Sequence, residues 1–150
     1  MNDPTLCITG NVDIDVRDAI TGNLISTQRV KNLVVSAGLN LIRDYLNAAA
    51  TPDIGWFAVG TGTAAVLAAN TTLGTEVFRA ALTNKVPGTA SLTFSYFLPT
   101  TAANGFTLTE IGLFNAAAAG SMLARGLIAG IAKNSGITVT FNWTITLAGV

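Results

Sequence analysis

The chain has no histidine, one cysteine (Cys7) and only 11% charged residues in a length of 150. Each shortage removes a class of chemistry. Without histidine there is no Ser-His-Asp or Cys-His nucleophile system and no imidazole-ligated metal. One cysteine cannot build a disulfide framework or a cysteine-rich zinc site. The 8 Lys+Arg balance the 8 Asp+Glu, so the basic excess of a nucleic-acid binder is missing. A typical soluble domain carries about 25% charge, and a disordered chain would be less apolar and more charged.

What the chain does have is apolar content. Hydrophobic residues make up 50% and the mean hydropathy is +0.53. The longest charge-free stretches, 54–75, 86–109 and 134–150, are broken by Gly, Thr, Asn or Pro. None reaches the roughly 20 apolar residues of a spanning helix. An eight-stranded membrane barrel would fit the length, but aromatics at 7% do not supply its girdles. Met1-Asn2-Asp3-Pro4 lacks the basic and apolar regions of a signal peptide. Zero net charge also removes the repulsion that keeps proteins apart, so Thr, Asn and Ser, or other subunits, are expected to cover the surface.

Periodicity organises the chain into strands. Val12, Ile14 and Val16 alternate with Asp13, Asp15 and Arg17, and Leu24–Val30 returns after the turn at 20–23. Asp13, Asp15 and Asp18 lack the glycine and terminal glutamate of an EF-hand loop. They read as a solvated strand face rather than a calcium site. Residues 36–47 are the one convincing helix, with Ser36 as N-cap and Leu39, Ile42 and Leu46 at helical spacing. Residues 54–59, 73–82, 91–98, 106–114 and 121–133 read as further strands.

The last strand is the clearest. Ile137, Val139, Phe141, Trp143, Ile145 and Leu147 alternate with Thr138, Thr140, Asn142, Thr144 and Thr146. One face is apolar, the other polar and uncharged. Edge strands usually carry charge that discourages pairing, and this one carries none. Eight or nine strands at 8–12-residue spacing predict an all-β antiparallel sandwich, jelly-roll-like, with one short α-helix near 36–47. The chain reads as a single domain over 1–150, in which segment 1–30 is a candidate oligomer or docking arm. The core is expected to include Phe94, Phe114, Phe141 and Trp143.

Gly60-Thr61-Gly62-Thr63 lacks the following lysine of a phosphate loop and the third glycine of a dinucleotide fingerprint. It reads as a tight loop, and no cofactor or metal is expected. The charges of the second half lie in apolar strands, where they need partners. Glu76 or Glu110 is expected to pair with Arg79 or Arg125. The same two glutamates are the only candidates for a glycosidase pair, and an enzyme ranks last among the readings. A carbohydrate-binding module would use Trp56, Tyr96 or Trp143, but Trp143 falls on the apolar face of its strand.

Several ordered segments carry a resemblance. They are Lys31–Asn40, Ala58–Thr63, Leu73–Arg79, Thr109–Phe114, Met122–Arg125, Lys133 and Thr138–Ile145. In this order and spacing they resemble a family of small virion proteins of tailed bacteriophages, described as tail-fibre, collar-fibre or head-decoration proteins. The likeness spans about residues 10–147. It implies a β-sandwich, no enzymatic activity and homo-oligomers, often trimers. Partners would be other virion proteins, such as the major capsid protein or neck and tail proteins, with no nucleic acid or membrane. The location would be the virion, assembled in the host cytoplasm. The short chain, without fibrous repeats, suits a capsid decoration (cement) protein better than a collar or tail-fibre attachment protein.

Overall fold

The structure is a computed structural model that describes residues 5–49 and 51–149. Residues 1–4, on which the reading of the N-terminal leader rests, lie outside the described residues. The chain runs β1 (Leu6–Asp18), β2 (Leu24–Val34), α1 (Ser36–Leu46), β3 (Trp56–Gly60), β4 (Glu76–Ala81) and β5 (Asn84–Gly88). It continues β6 (Ser91–Leu98), β7 (Thr107–Phe114), β8 (Met122–Ala132) and β9 (Ile137–Gly149). The fold is all-β and antiparallel with one short helix.

All nine strands belong to one sheet, in the order β4-β3-β7-β8-β2-β1-β9-β6-β5. The sheet curls so that its halves face each other, which produces the expected sandwich. The first half is β2-β1-β9-β6-β5 and the second β4-β3-β7-β8. They join where Leu33 and Val34 of β2 pair with Arg125 and Ala124 of β8. Farther along, Gln28 bridges the same seam, donating to the Ala129 carbonyl and accepting from its amide. At the opposite side Leu82-Thr83 turns the chain from one half to the other, with the two amides bonded to Gly55 and Ser95 carbonyls.

β1 is an interior strand of the first half, paired from end to end with β9 and over most of its length with β2. The hairpin expected as an arm is therefore built into the sheet on its β1 side. Its turn is held by Asp18, whose carboxylate accepts from the amides of Ile20 and Thr21 and from the Thr21 hydroxyl. The Thr21 amide above all holds this exposed carboxyl below its ordinary range.

Alternation decides what lies between the halves. Val12, Ile14, Val139, Phe141 and Trp143 point inward and are fully buried. Phe57 of β3 reaches across, with ring centroids 4.9 Å from Tyr96, 4.7 Å from Phe141 and 6.4 Å from Trp143. Phe94 joins this core, whereas Phe114 belongs to a second one with Val35, Ala58, Leu73 and Met122. That second core lies on the outer face of the second half.

Three expectations need correction, and one strand has no counterpart among them. The strand read over 73–82 starts at Glu76, because Leu73 is the lid of the second core. Strand β5 carries no alternation and is exposed throughout, so periodicity does not reveal it. The N-cap of α1 is Val35 and no side chain caps the helix. Tertiary partners replace it, since the Ser36 amide donates to the Ala68 carbonyl at 2.8 Å and Val35 to Leu123 at 3.1 Å. Leu147, read as inward-facing, is 42% exposed at the open end of the sandwich.

Candidate functional site

The most strongly built polar site lies on the outer face of the second half. Glu110 of β7 and Arg125 of β8 are 0% and 2% exposed. Arg125 donates to Glu110 Oε2 through Nη2 at 2.7 Å and Nε at 3.1 Å. The carboxylate also accepts the amides of Gly62 (2.9 Å), Gly74 (2.9 Å) and Thr75 (2.7 Å). Arg125 spends its remaining donors on Asn70 Oδ1 and on the Ala64 and Ala65 carbonyls. Every one of these further partners lies in the connection between β3 and β4. The pair clamps that whole loop onto the sheet.

The glycines explain the clamp at the level of atoms. A Cβ on Gly60 or Gly62 would overlap Glu110 Oε1. Gly60-Thr61-Gly62 is thus a tight loop for a specific reason: the backbone must come close enough to give its amides to a carboxylate. Burial pushes the Glu110 carboxyl up. The amides of Thr75 and Gly74, the Arg125 guanidinium and the Gly62 amide more than offset it, and the group is held below the usual carboxylate range.

Glu76 and Arg79 form a second pair on the same face, bonded at 2.8 Å and 2.6 Å. Residues three apart on a regular strand point to opposite sides. Here the register slips between Val59 and Gly60, so that Arg79 faces Ala58 and Glu76 faces Gly60. The bulge turns both side chains to one face. Arg79 then donates to the Ala116 and Ala119 carbonyls and covers the Phe114 ring at 3.6 Å. It holds the β7–β8 turn as Arg125 holds the β3–β4 loop.

Two lysines act likewise. Lys85 bonds Asp53 and the Ile54 carbonyl ahead of β3. Lys133, 2% exposed, donates to Asn104 Oδ1 and the Asn134 carbonyl, both at 2.9 Å, tying down the β6–β7 connection. Burial pushes the Lys133 amine down. From residue 79 onward the scarce cations, Arg79, Lys85, Arg125 and Lys133, therefore each secure a loop or turn.

These contacts bear on the catalytic alternative. Glu76 and Glu110 do flank Gly60 on one face. However, Glu110 is sealed from solvent and its oxygens are occupied by five donors. It presents neither a proton nor a lone pair to a substrate. The acids of β1 have partners too: Asp15 with Arg17 at 3.4 Å and Asp13 with Arg29 at 3.6 Å. Of the aromatics considered for sugar stacking, Trp143 and Tyr96 are buried and Trp56 packs on the second core.

The outer face of the first half is polar where β9 and β6 run side by side. Thr138, Thr140, Asn142, Thr144 and Thr146 of β9 stand beside Ser91, Thr93, Ser95 and Phe97 of β6. Cross-strand bonds lock it: Thr93 to Thr144 at 2.9 Å and Ser95 to Asn142 at 2.8 Å. Val86, 50% exposed, and Phe97, 45% exposed, stand on the same face. The charges lie to one side, on β1 and β2. A separate apolar groove of about 470 Å³ opens between α1 and the ends of β6 and β9, walled by Ile42, Tyr45, Leu92, Phe94, Leu123 and Ile145.

No family model, curated protein or solved structure matches the chain. Four of the short segments singled out in the sequence meet in space. Gly60–Gly62, Gly74–Thr75, Glu110 and Arg125 are all parts of the clamp. A linear reading sees four separate short strings. The signal that links them is the pairing of lone charges with glycines at strand ends.

Proposed function

We propose that the protein is a non-enzymatic structural component of a bacteriophage virion, an oligomeric decoration protein that reinforces the capsid shell. The observation that carries this reading is the uncharged Thr/Ser/Asn face of β9 and β6, with Val86 and Phe97 exposed on it. A free surface normally carries interspersed charge that keeps it from associating. At its middle the side chains are already locked across strands, Thr93 to Thr144 and Ser95 to Asn142, so covering those four costs little side-chain entropy. The clamped loops add a rigid scaffold, and the resemblance in the motif segments points the same way. The mechanism is added buried area. A stable interface buries on the order of 1,600 Å², and each bound copy favours the assembled shell by mass action.

The test compares particles with and without this protein. Shells lacking it should withstand heat and low salt less well than complete ones, and should regain resistance when purified protein is added back. Equal resistance would remove the decoration reading. The resemblance equally covers collar and tail-fibre proteins, and copy number separates them. Hundreds of copies per particle mark decoration, whereas about a dozen or fewer mark a neck or tail attachment.

A further inference from the structure

Lys133 is a buried cation without a counter-charge. Its ammonium contacts two neutral oxygens, Asn104 Oδ1 and the Asn134 carbonyl, and it takes part in no ion pair among the described residues. A buried charge normally has an ionic partner, because desolvation is otherwise uncompensated. Asn104 precedes Gly105, and this is the single Asn-Gly step in the chain. The step lies in a tight connection where Ala103 and Gly105 both have positive φ, 53° and 87°. The Asn104 carboxamide is fixed at both ends: Nδ2 donates to the Thr100 carbonyl at 2.7 Å and Oδ1 accepts from Lys133.

We propose that Asn104 is a self-modification site at which the Gly105 amide nitrogen closes on the side-chain carboxamide and the amide becomes a carboxylate facing Lys133. In the first step the Gly105 N–H leaves the Lys133 carbonyl that it bonds at 2.9 Å. The Gly105 nitrogen loses its proton and forms a bond to Asn104 Cγ. The Cγ–Nδ2 bond then breaks, and Nδ2 takes up a proton and departs as ammonia, leaving a cyclic imide. Water adds to one imide carbonyl and opens the ring to aspartate or isoaspartate. The sum consumes one water, releases one ammonia and involves no oxidant or reductant.

Two features favour this position over the other asparagines. Glycine has no Cβ, so its nitrogen reaches the preceding side chain with little steric hindrance. The negative charge of the tetrahedral intermediate develops on Oδ1, where the Lys133 ammonium already donates. A preplaced cation at the developing oxyanion lowers the barrier. The product supplies the carboxylate that Lys133 lacks, converting a clasp of a cation on neutral oxygens into a buried ion pair.

The folded protein is incubated in mildly alkaline buffer and followed by intact mass and by mapping of the tryptic peptide 86–125, which contains Asn104 and Asn115. The expected result is an amide-to-acid mass increment confined to Asn104, with Asn115 unchanged. Lys133→Met should slow it several-fold in the folded protein and leave it unaltered in denaturant, and Lys133→Arg should restore it. Asn104→Asp should melt above the wild type. The proposal is overturned if Asn104 stays intact, if Lys133→Met reacts as fast as wild type in the folded state, or if Asn104→Asp melts lower. A net loss of ammonia without water uptake, joining the Asn104 and Lys133 peptides, would mean a side-chain crosslink and overturn it as well.

Discussion

Glu110 and Arg125 stand diagonally across β7 and β8: Glu110 faces Leu127, Arg125 faces Gly112, and the two close a 2.7 Å pair on the outer face of the sheet. The diagonal leaves the carboxylate free to meet the β3–β4 loop on its other side. One side chain therefore organises two strands and a loop whose Gly62 amide lies 48 residues earlier in the chain.

Removing either partner strands a buried charge. Glu110→Gln and Arg125→Met should each cost roughly 3–5 kcal/mol, read by urea denaturation. Limited proteolysis should then cut within residues 61–75. The double variant should lose less than the sum, because no charge is left unpaired. Additive losses would show that the two residues act separately.

Acid should open the same clamp. The folded carboxyl of Glu110 is depressed below its ordinary value of 4.5. Its stabilising contribution is therefore complete above that value and is lost as pH falls through the depressed folded value. The stability gap between wild type and Glu110→Gln should be constant near neutrality and narrow in acid. A gap that widens on acidification would contradict the direction of the shift.

Gly38 sits in the first turns of α1. Glycine in a helix is normally worse than alanine by about 1 kcal/mol, so Gly38→Ala looks favourable from the sequence. In the structure the added Cβ would overlap the Leu123 carbonyl of β8. The substitution should instead destabilise by about 1–3 kcal/mol through overpacking, measured by thermal melting. A gain in stability would mean that the helix can move off the sheet at little cost.

Trp143 is fully buried and its indole Nε1 has no hydrogen-bond partner among the described residues. Trp143→Ala should cost roughly 3–5 kcal/mol. Trp143→Phe keeps the ring against Phe57 and removes the unpaired N–H, so it should cost clearly less. Chemical denaturation of both variants checks the order.

The Thr face can be tested without disturbing the core. Thr144→Lys places a charge in the middle of the β9–β6 face, beside Thr93 and Asn11. Light scattering should show loss of self-association, or particles should fail to take up the variant, while its melting temperature stays near wild type. Unchanged assembly would exclude this face as the contact surface.

The strands with one buried face were legible in the residues. Alternation over 12–17, 91–98 and 137–147 marks them, because a half-buried strand must place apolar side chains on every second position. Strand β5 was not legible, since Asn84–Gly88 is exposed on both sides and no burial imposes a pattern. The helix was legible from its spacing. Its cap was not, because the caps are carbonyls from Ala68 and Leu123, outside the helix.

The site followed the same division. Composition excluded histidine chemistry, and their position in otherwise apolar strands marked Glu76, Arg79, Glu110 and Arg125 as charges that needed partners. It left the pairing open. The bulge in β4 decided for Glu76 with Arg79, and the register of β7 on β8 decided for Glu110 with Arg125. Strand patterns are local, set by which face meets the core. Pairings between distant residues depend on register, on bulges and on where a loop can lie flat, and those are fixed when the whole sheet closes.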